Sequence, residues 1–383
     1  MLRPDSALSL PMKSLVAPDK FKGSLGAREV AENIALGLGD VLPDLKIDIL
    51  PMADGGEGTA EVIGDALDSH WVNCAAHDPL GREIGARYGW IENRKLAVME
   101  MSEAAGMRRL SKGERDPLHA NTFGVGEMLF NASGRGAAQI IIGLGGSSTN
   151  DGGFGMARAL GFQFFSESDY EEECELTGAI NELQKLKRIQ KPRNLSLPGI
   201  LAAVDVRNPL LGRNGATQVF GPQKGVTKNK IGTLERALTK LADVVSKDLD
   251  VDYRQELGAG AAGGLGFGLK SFCGAKIRLG FDVVAEAVKL ETKMKDVDVI
   301  ITGEGSLDRQ TLEGKTPAGV ARLGRKLGKR VFAIVGRASE DRQVQEIFDG
   351  VYEITRPSMS EKENMARAAE FLRKKARELA KKL

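Results

Sequence analysis

Cysteine and histidine are scarce in this chain, charge of the two signs is nearly balanced, and no long apolar run occurs. Each of these excludes a class of function. The three cysteines, Cys74, Cys174 and Cys273, are widely separated and form no C-x-x-C pair. Neither a disulfide framework nor a cysteine metal site is indicated, and a reducing cytoplasm is the expected compartment. The three histidines, His70, His77 and His119, show no triad or metal-ligand spacing. His119, within LHANT, is the one to watch, although an ordinary loop histidine is the preferred reading. Lys and Arg total 54 against 52 Asp and Glu, a net charge of +2. That balance gives no electrostatic footprint for nucleic acid or an anionic membrane surface. No apolar run approaches the roughly 18 residues that a membrane span requires. The first eleven residues, MLRPDSALSLP, are too short and too weakly apolar for a signal peptide, and read as a loose extension with Met12 as an alternative start.

Glycine, by contrast, is abundant: 47 of 383 residues, against ordinary usage of about 7%. The glycines gather in turns without a period, which points to backbone-lined sites and away from collagen or disorder. The densest stretch begins after Ile140, Ile141 and Ile142, a short buried strand. Gly143, Gly145, Gly146, Ser147, Ser148, Thr149, Asn150, Asp151, Gly152 and Gly153 follow, and Met156, Ala157 and Leu160 open a helical pattern. A strand, a glycine- and hydroxyl-rich turn and a helix start gather backbone N–H groups where they can hold an anion.

At 383 residues, two domains are expected. Strands are expected at 14–17, 47–51, 297–303, 330–336 and 350–355, the first three ending in acidic loops. Helices are expected over 25–38, with Ser24 as cap, over 60–67 and over 317–327, where Thr316 and Pro317 fit the cap and first turn. A final amphipathic helix carries Met365, Ala368, Ala369, Leu372, Ala376 and Leu379. These βα units make one doubly wound domain of five parallel strands, residues 12–70 with 296–383. Residues 71–295 form an inserted α/β domain. Its start, 71–103, alternates as antiparallel strands do. Residues 166–196 read as a surface helix and loop, 199–205 as a strand, 229–248 as an amphipathic helix and 256–269 as a second glycine-dense turn. Open α/β sheets bind ligands at the carboxyl ends of their strands, so a cleft between the domains is the expected site.

Acidic residues recur at these turns: Asp54, Glu57, Asp151, Asp205, Glu304 and Asp308. Carboxylates beside glycine-rich anion loops suit a Mg–nucleotide site, with Lys20, Lys22, Lys224 and Lys315 available for a phosphate or a substrate carboxylate. For any one of them a simple turn residue is an equal reading; the recurrence tips the balance. Two motif matches fail on context. Gly258, Gly260 and Gly263 spell G-x-G-x-x-G, but DYRQEL before them is no apolar strand. Gly314-Lys315-Thr316 ends like a Walker A loop, yet Arg309 stands where its first glycine belongs. Ser147 and Ser148 do not form G-x-S-x-G, so no hydrolase elbow is supported.

The stretches APDKFKGSL (17–25), PMADGGEGT (51–59), DPLGR (78–82), IIGLGGSSTNDGG (141–153), AAVDVRNPLLG (202–212), GAGAAGGLGFGL (258–269) and ITGEGSLDRQTLEGKTP (301–317) together closely resemble the bacterial two-domain glycerate kinases. The likeness spans nearly the whole chain in order, leaves 1–11 outside, and departs at Lys20, where the family usually has Ser. It implies a flavodoxin-like domain carrying an insert similar to restriction endonucleases. It also implies ATP-dependent phosphorylation of D-glycerate in the cytoplasm, usually to 2-phosphoglycerate, with no nucleic-acid or membrane partner and a homodimer as a candidate assembly. On that reading Asp205 is the candidate base and Lys22 a catalytic cation. Gly145, Gly146, Ser147, Ser148, Thr149, Asn150, Gly263 and Gly264 would hold nucleotide phosphates. Lys22, Ser24, Asn208 and Lys315 would hold substrate, and Asp54, Glu57, Glu304 and Asp308 are Mg²⁺ candidates. The competing readings are a kinase of a related hydroxy acid, a phosphosugar or nucleotide sensor that binds without turnover, and a dehydrogenase.

Overall fold

The computed structural model describes residues 12–167 and 173–383; the expected extension 1–11 lies outside the described residues. The chain forms two compact units, one from residues 12–53 with 285–383 and one from residues 54–284.

The first unit is built on a five-stranded parallel sheet. Its strands in chain order are Lys13–Val16, Lys46–Ile49, Val299–Thr302, Arg330–Val335 and Gly350–Glu353, and they stand in the spatial order second, first, third, fourth, fifth. Val299–Thr302, at the centre, is buried at every position, as a parallel strand covered on both faces must be. Helices Ala27–Gly39 and Ala368–Ala380 pack together on the sheet, burying Val30, Ile34 and Leu38 with Phe371, Leu372 and Leu379. Two local expectations are corrected. The first helix is entered at Gly26, whose N–H donates to the Glu29 carboxylate at 2.8 Å; the Ser24 hydroxyl instead donates to the Met365 carbonyl at 2.8 Å. The C-terminal helix is two, Glu361–Ala366 and Ala368–Ala380, broken at Arg367.

The second unit is built on a six-stranded mixed sheet in the order Lys276–Leu279, Gly199–Val204, Gln139–Gly143, Leu96–Glu100, Glu83–Ile91, His70–His77. The first four run parallel, and the last two pair antiparallel at one edge. Helix Lys228–Leu249 presents Leu234, Leu238, Leu241 and Val245 to the core at helical spacing. The stretch expected as a surface helix and loop is instead a small antiparallel sheet, with Gln163–Glu167 between Glu173–Glu175 and Leu186–Gln190. Phe164, Leu186 and Ile189 of these strands, with the flanking Phe162, are buried in the core, apolar positions hidden among charged neighbours. The second glycine turn is also shorter than expected, because a helix runs through Phe267 to Cys273.

The division between the units differs from the expected one. Helix Thr59–Ala66 follows a strand of the first unit, yet it packs on strands Leu96–Glu100 and Glu83–Ile91 and belongs to the second. Sequence order assigns a helix to the strand before it; burial of its apolar face decides the sheet it covers.

Helix Phe123–Gly134 backs the glycine-rich turn by lying against helix Phe154–Ala159, and Gly126 is the point of closest approach. A Cβ there would stand 2.4 Å from the Met156 carbonyl oxygen and 2.6 Å from the Ala159 Cβ. Alanine gains about 1 kcal/mol over glycine in a helix, but overpacking of this kind costs about 1–3 kcal/mol. Gly126→Ala is therefore expected to lower the urea midpoint, and an unchanged or raised midpoint would show that the helices separate freely.

Candidate functional site

In the second unit the glycine-rich turn after Gln139–Gly143 is fixed by backbone touching backbone. A Cβ on Gly145 would lie 2.4 Å from the Gly56 Cα, and one on Gly263, where φ is +70°, would lie 2.0 Å from the Thr149 carbonyl oxygen. The first contact joins the turn to the DGGEG loop, and the second joins it to the GAGAAGG turn. Gly145, Gly146, Ser147, Ser148, Thr149, Asn150, Gly263 and Gly264, expected together, are thus brought together, with Gly264 against Gly152. The Gly260 N–H donates to the Asn208 carbonyl at 2.9 Å, which brings the loop after Gly199–Val204 to the same place.

Exposure within the turn is uneven. Gly146 is exposed and Gly145 half-buried, whereas Ser147, Ser148, Thr149, Asn150 and Asp151 are buried. Among the described residues, the N–H groups of Gly145, Gly146, Ser147, Thr149 and Asn150 donate to no acceptor. The Thr149 Oγ1 and Asn150 Oδ1 are also buried without a partner. Buried backbone donors are nearly always paired, so the unpaired ones of the buried residues Ser147, Thr149 and Asn150, with the more open Gly145 and Gly146 beside them, suit an anion nest.

Two buried charges hold this turn from behind. The Asp151 carboxylate accepts from the Thr122 N–H and Oγ1, each at 2.8 Å, and from the N–H groups of Gly153 at 3.1 Å and Gly155 at 3.0 Å. Burial pushes its pKa up, and those hydrogen bonds oppose the shift. The Lys224 ammonium, 2% exposed, donates to the Ser147 Oγ at 2.6 Å and the Thr149 carbonyl at 2.8 Å. Burial lowers its pKa from the ordinary 10.5 to about 7, against the pull of the Asp151 charge.

The DGGEG loop has its own buried support. Glu100, at the end of strand Leu96–Glu100, accepts from the N–H groups of Gly58 at 2.8 Å and Ala60 at 3.1 Å. A carboxylate suits the positive end of helix Thr59–Ala66, although desolvation raises its pKa. Within the loop the Asp54 Oδ1 accepts from the Gly56 N–H at 3.2 Å, and the exposed Glu57 pairs with Arg108 at 3.2 Å. Asp205 ends strand Gly199–Val204 and is exposed, and the Asn208 amide donates to the Asn214 carbonyl at 2.8 Å. His119 is a surface histidine, its Nδ1 3.3 Å from Asp116, which also pairs with Lys230 at 3.0 Å.

In the first unit the remaining candidates stand beyond the carboxyl ends of the first and third strands, where the winding direction of the sheet reverses. That is where open α/β sheets bind ligands. Asp19, buried, accepts from the Thr316 hydroxyl at 2.6 Å and its own N–H donates to the Gly303 carbonyl at 2.8 Å. Glu304, also buried, accepts from the Thr311 hydroxyl at 2.6 Å, and that same hydroxyl accepts from the Asp308 N–H at 3.1 Å. Lys22 is exposed, Ser24 half-buried, and Lys315 sits at the N-cap of helix Thr316–Lys326. Loops 19–24, 303–308 and 315–316 therefore form one patch in this unit. Among the described residues no group of three or more His, Cys, Asp or Glu is placed to hold a metal ion, and no helix is long and apolar enough to cross a membrane.

Sequence reasoning did not single out the supports. Asp19 and Thr311 lie within stretches that carried the family likeness but were given no role there, and Glu100 lies in none of them. Lys224 stood among several lysines, with only the turn GPQKG to suggest confinement. Its buried ammonium has a measurable consequence. A lysine whose pKa is depressed on folding contributes stability that is present above pH 10.5 and is lost as pH falls toward about 7. Relative to Lys224→Met, the native chain is expected to gain stability from pH 7 to pH 9, by at most about 1.4 kcal/mol per pH unit. Urea unfolding of both proteins across that range checks the sign, and parallel curves would refute it.

The whole chain can be placed by comparison. The model of the glycerate kinase family matches residues 14–383. The chain is 38% identical over 368 residues to a glycerate kinase of Halalkalibacterium halodurans, covering 96% of this chain and 97% of that protein. It is 40% identical over 330 residues to the glycerate 2-kinase of Escherichia coli strain K12, covering 86% of each. It superimposes, with a TM-score of 0.84 and 38% identity, on the crystal structure of a protein provisionally named glycerate kinase 2 from Salmonella typhimurium LT2, over 97% of this chain and 98% of that one. A match of this extent, on a chain whose expected loops carry the glycines and carboxylates just described, shows that the protein is an enzyme belonging to the glycerate kinase family.

Proposed function

We propose that the chain transfers the γ-phosphoryl group of ATP to a hydroxyl of D-glycerate, giving ADP and 2-phosphoglycerate. The run of unpaired N–H groups at Gly145, Gly146, Ser147, Thr149 and Asn150 carries the reading, because it offers a phosphate several donors at no cost in protein hydrogen bonds. The 2-position follows the name of the E. coli relative. The strand order second, first, third, fourth, fifth supports a flavodoxin-like first unit, and the second unit is assigned the restriction-endonuclease-like architecture. A cytoplasmic location and a homodimer accompany this reading.

Each residue set has a role that its chemistry supports. The loop amides, with Gly263 and Gly264 allowing close approach, hold phosphate oxygens. Lys22, Ser24, Asn208 and Lys315 hold the glycerate carboxylate and hydroxyls, Lys22 also neutralising charge on the transferring group. Asp205, exposed at a strand end, accepts the proton of the attacking hydroxyl as its oxygen bonds to the γ-phosphorus and the bond to the departing ADP oxygen breaks. Positioning and charge neutralisation supply most of the rate in such a transfer. Asp54, Glu57, Glu304 and Asp308 offer the hard oxygen ligands that Mg²⁺ prefers. The lack of a three-carboxylate cage among the described residues fits an ion that uses one or two carboxylates with phosphate and water. When bound, Mg²⁺ screens the phosphate charge.

Two measurements test the assignment. Protein incubated with ATP, Mg²⁺ and D-glycerate is expected to release ADP only when glycerate is present, with the ³¹P spectrum of 2-phosphoglycerate. A 3-phosphate signal would correct the position, turnover only with another hydroxy acid would correct the substrate, and binding without turnover would favour the sensor. Asp205→Asn is expected to lower kcat by about 10²–10⁴ with little change in thermal stability; an unchanged kcat would remove Asp205 from the role.

A further inference from the structure

Lys224 is the buried cation that the roles above leave unused. Its side chain is enclosed, and among the described residues it forms no ion pair with a carboxylate and has as hydrogen-bond partners only the Ser147 hydroxyl and the Thr149 carbonyl. An ammonium has three N–H donors, and two are thereby engaged. Asp151 acts on it only at a distance, its carboxylate being taken up by Thr122, Gly153 and Gly155. A buried cation without a counter-ion is unfavourable, and a merely structural pin for this turn needs no charge. The two groups it touches belong to the segment whose N–H groups have no protein acceptor. The same segment holds the two unpartnered buried oxygens of Thr149 and Asn150.

We propose that Lys224 is the fixed counter-charge of the anion nest, its third N–H reserved for a phosphate oxygen of the bound nucleotide. The inference rests on the phosphate-binding reading of the turn and singles out Lys224 from the four lysines expected to meet a phosphate or a carboxylate. Ser147 and Thr149 then have a second task, since they aim the ammonium as well as lending their own N–H groups. Gly146, in the same segment, is exposed, and the flanking Gly225, at φ +95°, lets the chain turn immediately after the lysine.

The test is the binding of ADP to the full-length protein by calorimetry, for the native chain and Lys224→Met, with D-glycerate titrated in parallel. Loss of a charge-assisted hydrogen bond is expected to weaken ADP binding about 10- to 100-fold, to leave glycerate affinity unchanged, and to leave the melting temperature without ligand at or above the native value. ADP affinity equal to the native value overturns the proposal; so does a loss for glycerate with none for ADP. A variant that melts early is decided by the native protein crystallised with ADP. There the Lys224 Nζ is expected about 3 Å from a phosphate oxygen, and an ammonium still held only by Ser147 and Thr149 would refute the inference. A native chain that binds ADP through Lys224 but does not phosphorylate glycerate would remove the substrate assignment alone.

Discussion

Backbone against backbone is the contact on which the second unit depends. Where Gly145 meets Gly56, and Gly263 meets the Thr149 carbonyl, no Cβ fits between the chains. Side chains ordinarily keep loops apart and fill the space with apolar atoms. Here the loops meet through peptide groups, and their amides are left to face whatever enters. Glycine is costly to order in the folded chain because it has more conformational freedom to lose. That cost is tolerated at these turns because the same missing side chains that permit the contact also permit close approach by a ligand. One constraint thus governs both the packing of three loops and the character of the site.

Buried charges answer the consequences of that arrangement. A turn made of peptide groups has no apolar side chains to anchor it, so polar groups do so from behind. Glu100 takes two N–H groups at the start of helix Thr59–Ala66, and Asp151 takes three together with the Thr122 hydroxyl. For both carboxylates desolvation acts against ionisation, while the donors pointing at them act for it. Asp19 and Glu304 repeat the device in the first unit, each bonded to a threonine hydroxyl. Asp54, Glu57, Asp205 and Asp308, by contrast, have exposed or half-buried side chains. Burial thus divides acidic residues that look identical in the sequence, where every such loop simply shows an Asp or a Glu.

The parallel strands and glycine turns were legible because their signals are local. Three isoleucines in a row before a glycine cluster describe a covered strand and its turn without reference to the rest of the chain. What escaped depends on contacts distant in sequence. Lys276–Leu279 alternates charged and apolar residues over only four positions, and becomes a strand because Gly199–Val204 offers it an edge. The strands around 163–190 are concealed by the charged residues of KLKRIQK and the preceding segment in the sequence, while Phe164 and Ile189 are buried in the core. Helix Thr59–Ala66 follows a strand of one unit and covers the sheet of the other. Ser24 looks like a cap, but Gly26 begins the helix and Ser24 is engaged with Met365, a residue 341 positions away.

Lys224 marks the limit of such reading. In sequence it is one lysine among many, in a polar turn between proline and glycine, where a solvated side chain is the ordinary outcome. Burial alone does not set it apart either, since a lysine can be enclosed and paired. Its distinction is a deficit: an enclosed ammonium with two neutral partners, beside amides that have none. Hydrophobic burial cannot account for such a group, because a methionine would fill the volume without the desolvation. A cation and a set of amides unpaired at the same turn are satisfied together by one anion. Neither group explains itself without the other, and that mutual deficit is the physical ground on which an anion is proposed there.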